Sequence, residues 1–298
     1  MSTRDSTIPK VDIQAVKSYW REKRVPQQFY SKKTPFTLSW YNDLSFKRYN
    51  VYYQYLKESA EFCEHRGENV LEIGCGIGTD LIEYAKNGAI VSGVDLGQDQ
   101  IDYTKRNFEL RKLPYQELKV ANAESLPFPD KSFDFIFCFG VIHHSPSPQK
   151  IFQEIHRVLT DDGKAVVMVY ARGWKHYIKR CSITGIVRGR WFANGFDWQK
   201  VYGEASEVYG NCPKTDVYSK RDVRRLTSDF KNVELQKKRM GEFFDYAPYG
   251  TVKFPHFVKS LCGFLGLEAI LGENWLVKLE KVPGGKDASL WQVLFKHY

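Results

Sequence analysis

The chain has 298 residues, 44 Lys and Arg against 35 Asp and Glu, a formal charge of +9, and 43% hydrophobic residues, enough apolar surface to exclude a largely disordered protein. It contains no apolar run of about 18 residues that would span a membrane, and MSTRDSTIPK at the start lacks the apolar stretch of a secretory signal. Six scattered cysteines without a CxxC pair speak against a disulfide framework or a zinc site, so the expected setting is a reducing cytoplasm.

Residues 1–60 are basic (+6) and rich in aromatics, among them Tyr19-Trp20, Trp40-Tyr41 and the run beginning Arg48-Tyr49. Residues 61–170 are acidic (−6) and contain no tryptophan, and they alternate short apolar runs with helical patterns. Strands are predicted at Asn69–Ile73, Ala89–Val94, Leu118–Ala121, Phe133–Phe139 and Lys164–Tyr170. Helices are predicted at Asp80–Asn87, Gln98–Lys112 and Pro148–Leu159, the last ended by Asp161-Asp162-Gly163. This alternation implies βαβ units and a doubly wound, mostly parallel α/β sheet. Residues 171–240 are strongly basic (+9). Ser219, with Asp222 three residues on, reads as a helix N-cap, and Val233–Met240, Trp275–Val282 and Leu290–Phe295 read as strands, with the choice between the last two for the main sheet left open. Residues 254–271 are apolar on most faces, which fits a buried helix or an interfacial one touching a membrane surface.

The chemistry concentrates at Glu72-Ile73-Gly74-Cys75-Gly76-Ile77-Gly78, between the first strand and its helix. Alternate glycines allow a tight turn and a close ligand approach. Thr79 stands where a dinucleotide fingerprint needs its third glycine, and Glu72 would repel a pyrophosphate but suits a cationic or zwitterionic ligand. Asp95 ends the second strand, where a carboxylate can accept both hydroxyls of a ribose.

With VLEIGCGIGTD (70–80), VSGVDLG (91–97), ANAESLPFPDKSFDFIFCFGVIHH (121–144) and EIHRVLTDDGKAVVMVY (154–170), the sequence resembles the class I S-adenosylmethionine (SAM)-dependent methyltransferases of the type 11 group. The resemblance implies a seven-stranded Rossmann-like sheet with helical, aromatic cap segments. It also implies an organisation into a cap (1–60), a SAM-binding core (61–171), a cap insertion (172–218) and a C-terminal completion (219–298, with an insertion at 241–273). By position in the family motifs, Glu72, Gly74, Cys75, Gly76 and Gly78 would surround the methionine part of SAM. Asp95 would take the ribose, Leu96, Asn122, Ala123 and Glu124 the adenine side, and Phe139 and Gly140 the methyl donor. Asn122 replaces the family's usual Asp and loses a charge-assisted bond.

His143 and His144 are the general-base candidates, because histidine titrates near the working pH. Tyr19, Trp20, Arg48, Tyr49, Tyr170, Trp174 and Trp191 are candidates for a cap over the substrate. No third ligand accompanies the His pair, so no metal is expected. The expected activity is methyl transfer from SAM to oxygen, nitrogen or carbon of a small aromatic, apolar or anionic acceptor. RNA is the less favoured acceptor, raised by basic charge interleaved with aromatics. A SAM-binding scaffold without turnover is the third reading.

Overall fold

A computed structural model of the chain describes residues 11–23, 31–173, 189–193, 195, 212–238, 272 and 274–281. The expected strand 290–295, the stretch 254–271 and Trp174 lie outside the described residues.

Seven strands form one sheet: β1 (Asn69–Ile73), β2 (Ile90–Asp95), β3 (Glu117–Val120), β4 (Phe133–Phe139), β5 (Leu159–Tyr170), β6 (Asn232–Lys238) and β7 (Asn274–Glu280). Their order is β3-β2-β1-β4-β5-β7-β6, parallel except for β7, which runs antiparallel to both β5 and β6. The reversal between β1 and β4 opens a crevice at the carboxyl ends of β1 and β2, where open α/β sheets take their ligands. Of the two candidates, the strand at 274–280 enters the main sheet; the other lies outside the described residues.

Helices cover both faces. α4 (Thr79–Lys86) and α5 (Gln98–Arg111) bury Leu81, Ile82, Tyr84, Ile101 and Phe108 against one face. α6 (Pro148–Val158) buries Ile151, Phe152, Ile155 and Val158 against the other, together with α7 (Lys220–Leu226). β4 is apolar at nearly every position because both its faces are covered. α7 starts at a complete capping box, with Ser219 Oγ accepting from the Asp222 N–H and the Asp222 carboxylate accepting from the Ser219 N–H.

One boundary differs from expectation. α6 stops at Val158 and the strand begins at once at Leu159, five residues before the predicted start. Asp161-Asp162-Gly163 is an irregularity inside β5, where the pairing jumps from Phe133–Leu159 to Phe135–Lys164.

Ahead of the sheet come α1 (Ile13–Lys23), α2 (Leu38–Lys47), which runs on into a π-helical turn over Arg48–Tyr52, and α3 (Leu56–Ser59). α2 packs Trp40, Tyr41 and Leu44 against Ile77 and α5, and Tyr41 Oη donates to the Tyr103 carbonyl at 2.8 Å. Residues 212–218 return to the main body: the Asp216 N–H donates to the His143 carbonyl at 2.8 Å and Tyr218 pairs with Ala171.

Candidate active site

The glycine loop folds as it does because two of its positions exclude a side chain. Gly74 has φ +76°, and a Cβ there would lie 2.2 Å from Val141 Cγ2. Gly78 has φ +74°, and a Cβ on it would lie 2.8 Å from Thr104 Cγ2. The loop is fastened from several sides. The Gly74 N–H donates to the Val94 carbonyl at 2.7 Å, Thr104 Oγ1 to the Gly76 carbonyl at 2.9 Å, and Asn107 Nδ2 to the Ile77 carbonyl at 3.1 Å.

Asp95 ties this loop to the one after β2. Its Oδ2 accepts from the Gly76 N–H and its Oδ1 from the Gly97 N–H, both at 3.0 Å. Burial raises its pKa, and the N–H groups of Gly97, Gly76 and Leu96 oppose that rise. Each oxygen keeps a further lone pair for a ligand hydroxyl.

Behind the loop lies a buried charge network. Arg48 grips Asp80 with two bonds, Nε to Oδ1 at 2.7 Å and a second from its terminal nitrogen to Oδ2, and Tyr49 Oη donates to Asp80 Oδ1 at 2.7 Å. Burial alone would lower the Arg48 pKa, but the Asp80 charge and hydrogen bonds raise it above its ordinary value. Glu72 sits beside this pair, 4% exposed, and its Oε2 has no hydrogen-bond partner in the protein. Burial, then the Asp80 charge, hold its pKa well above the usual carboxylate range. A buried carboxyl oxygen without a donor is costly.

The two histidines occupy a 3₁₀ turn after β4 and have separate surroundings. His143 is fully buried, stacks on Tyr170 with 3.8 Å between ring centres, and has both ring nitrogens unpartnered. Burial, and secondarily His144, push its pKa well below the ordinary value, so it is neutral. His144 Nδ1 lies 2.8 Å from the Lys214 carbonyl. A carbonyl only accepts, so Nδ1 carries a proton. The Trp20 ring meets His144 edge-on at 4.8 Å.

The glycine loop, Asp95, Arg48, Asp80, Glu72, His144 and Trp20 border one cavity of about 380 Å³. Of the predicted residues, Glu72, Gly74, Cys75, Gly76, Asp95, Leu96, Asn122, Ala123, Phe139, Gly140, His144, Trp20 and Arg48 form its wall. Gly78, Glu124, His143, Tyr19, Tyr49, Tyr170 and Trp191 do not. Glu124 instead holds the next loop, accepting from Ser145 Oγ at 2.6 Å and the Ser147 N–H at 3.0 Å. Trp191 and Tyr170 pack on Val217. The Asn122 carbonyl oxygen accepts from the Glu124 N–H at 3.0 Å. Burial raises the pKa of both Cys75 and Cys138, which therefore stay neutral packing groups.

Several wall residues were not singled out from the sequence: Asp80, Gln100, Ser145, and Lys17 and Arg21 on α1. The stripe Ile13, Val16, Lys17, Trp20, Arg21 has the i, i+3, i+4, i+7, i+8 spacing that could have pointed to a single helix face. Among the described residues, no group of three or more His, Cys, Asp or Glu is placed to hold a metal ion, and no helix is long and apolar enough to cross a membrane.

Residues 71–167 match the family described as a methyltransferase domain. The chain is 32% identical over 113 residues to the ubiquinone biosynthesis O-methyltransferase of Coxiella burnetii, a match covering 38% of this chain and 48% of that enzyme, so it spans about half the length of that relative. It is 29% identical over 215 residues to an uncharacterized protein of Methanocaldococcus jannaschii, covering 68% of this chain and 76% of that one. Among solved structures, a putative methyltransferase of Haloferax volcanii, in complex with the Trm112 activator, superposes with a TM-score of 0.53 at 14% identity, covering 83% of this chain and 96% of that one. That last likeness concerns the fold. Family match, sheet order and glycine loop agree: residues 71–167 are similar to methyltransferase domains and share the fold of solved methyltransferases.

Proposed function

We propose that the protein transfers a methyl group from SAM to a small-molecule acceptor held under α1. One observation carries this reading: buried Glu72, whose Oε2 has no hydrogen-bond partner, lines the same cavity as the glycine loop and Asp95. These acceptors suit a ligand with an ammonium group at one end and ribose hydroxyls at the other. Glu72 would take the ammonium, Asp95 the hydroxyls, and Leu96, Asn122 and Ala123 the adenine side. Asn122 spends its carbonyl oxygen on the Glu124 N–H, so it offers the base mainly its amide N–H groups.

When bound, SAM supplies an electrophilic methyl on a sulfonium. The protein's part is to orient, to exclude water and to move a proton. His144 Nε2 accepts the proton from an acceptor hydroxyl or carbon acid. The Lys214 carbonyl holds the tautomer in place and stabilises the imidazolium that forms, as an orienting acceptor does in other His bases. His143, buried and off the cavity, supports the wall through Tyr170. Trp20 and the apolar residues of α1 shield the reacting end from bulk water. A roof formed by a helix face favours a small acceptor over an RNA strand, which needs an open groove.

Calorimetric titration with S-adenosylhomocysteine tests the reading. Binding by the wild type, reduced at least about tenfold in Asp95→Ala through loss of two charge-assisted bonds, supports it. No binding by the wild type overturns it.

A further inference from the structure

The cavity is charged unevenly. Glu72, Asp80, Asp95 and Asp99 line its floor, at the carboxyl ends of β1 and β2 and the starts of α4 and α5. Its basic members are Arg48, Lys17 and Arg21. Arg48 is consumed by Asp80. Lys17 and Arg21 stand one helical turn apart on the face of α1 that lines the cavity, half-buried and exposed respectively. Among the described residues neither has a carboxylate partner, unlike Lys47 with Asp43 and Lys86 with Glu83 nearby in the chain. Trp20 lies between them in sequence, and its contact with His144 fixes this part of α1 over the proton-accepting end of the cavity. Two unpaired cations at the rim of an enclosed, partly apolar space set up a local field that draws an anion.

We propose that Lys17 and Arg21 form an oxyanion-binding subsite for the acceptor, which therefore carries a carboxylate or a phosphate in addition to the group that is methylated. This rests on the methyltransferase reading above. The acceptor's anionic end lies against α1, its body against Trp20, and its nucleophile toward His144. Asp95 and Asp99, which no Arg or Lys among the described residues pairs with, repel an anion from the cofactor end and so fix the acceptor's direction. The guanidinium of Arg21 suits bidentate oxyanion recognition, and Lys17 adds a point charge from the preceding turn.

The test uses the full chain and the double variant Lys17→Gln/Arg21→Gln. A first calorimetric arm titrates S-adenosylhomocysteine alone, and both proteins should bind it with affinities within about twofold. A second arm, with S-adenosylhomocysteine saturating, titrates benzoate, phenyl phosphate and benzyl alcohol. The wild type should bind at least one of the two anions about tenfold or more tightly than the alcohol, and the variant should lose that preference. The tighter anion identifies the oxyanion as carboxylate or phosphate. If the variant instead loses S-adenosylhomocysteine, the cations hold the cofactor's own carboxylate and the proposal falls, while the methyltransferase reading stands. Equal binding of anionic and neutral probes, or binding of none, also overturns it. Failure of the wild type in the first arm condemns the underlying reading and is seen without the variant.

Discussion

The floor of the cavity comes from Glu72–Asp80 and Val94–Gly97, segments that abut their own strands, whereas its roof is one face of α1, far upstream in the chain. The floor is acidic and fixed by backbone hydrogen bonds at nearly every step. The roof is basic and aromatic, and it is held by side-chain packing such as Trp20 on His144. The difference separates two tasks. On the function proposed above, the cofactor would be read by backbone geometry, which changes little, and the acceptor by side chains on a helix, which can change without disturbing the sheet.

The largest expected effect lies at the joint between the two regions. Arg48→Met leaves Asp80 buried without its cation and beside Glu72, and should destabilise the protein by about 3–5 kcal/mol, read as a urea midpoint shift. A loss under about 1 kcal/mol would mean that the floor does not depend on this pair. Next comes the division of labour between the histidines. His144→Gln should lower kcat by about a hundredfold or more for an acceptor that loses a proton, with S-adenosylhomocysteine affinity unchanged. His143→Phe, which keeps the ring stack on Tyr170, should leave kcat within a few-fold; the reverse pattern would move the base from the wall to the core. The smallest effect is in stability against pH. The His143 pKa is depressed in the folded state, so the unfolded chain binds the extra proton as pH falls below about 6.5. Its contribution is present above that pH and is lost below it, by about 1.4 kcal/mol per pH unit. Stability curves of wild type and His143→Phe between pH 5 and pH 7 should differ by that slope, and parallel curves would show that His143 takes up its proton without cost.

The floor was legible in the sequence because its signals are local: an apolar strand, three glycines, and an acid at the next strand's end. The start of β5 was not, since Asp161-Asp162-Gly163 has turn chemistry, and only the pairing with β4 reveals that the strand runs through it. The choice between His143 and His144 was equally hidden. It depends on the Lys214 carbonyl, 70 residues later, and on Tyr170. Lys17 and Arg21 read as solvated surface charges until α1 is seen against the cavity. Asp80 carries no local signal either, because its role comes from Arg48 and Tyr49, which precede the whole sheet.

The order of the last two strands bears on how the molecule assembles. Among the described strands β6 pairs only with β7, and β7 is the strand that reaches β5. Of these strands, a chain emerging from its amino end therefore gives β6 no hydrogen-bonded neighbour until 274–280 has been made. Closing that gap joins segments more than a hundred residues apart in sequence, Lys164–Tyr170 with Asn274–Glu280. The parallel part of the sheet, β1 to β5, can be laid down progressively as it is synthesised, but the pairing of β5 with β7 is completed in one late, long-range step.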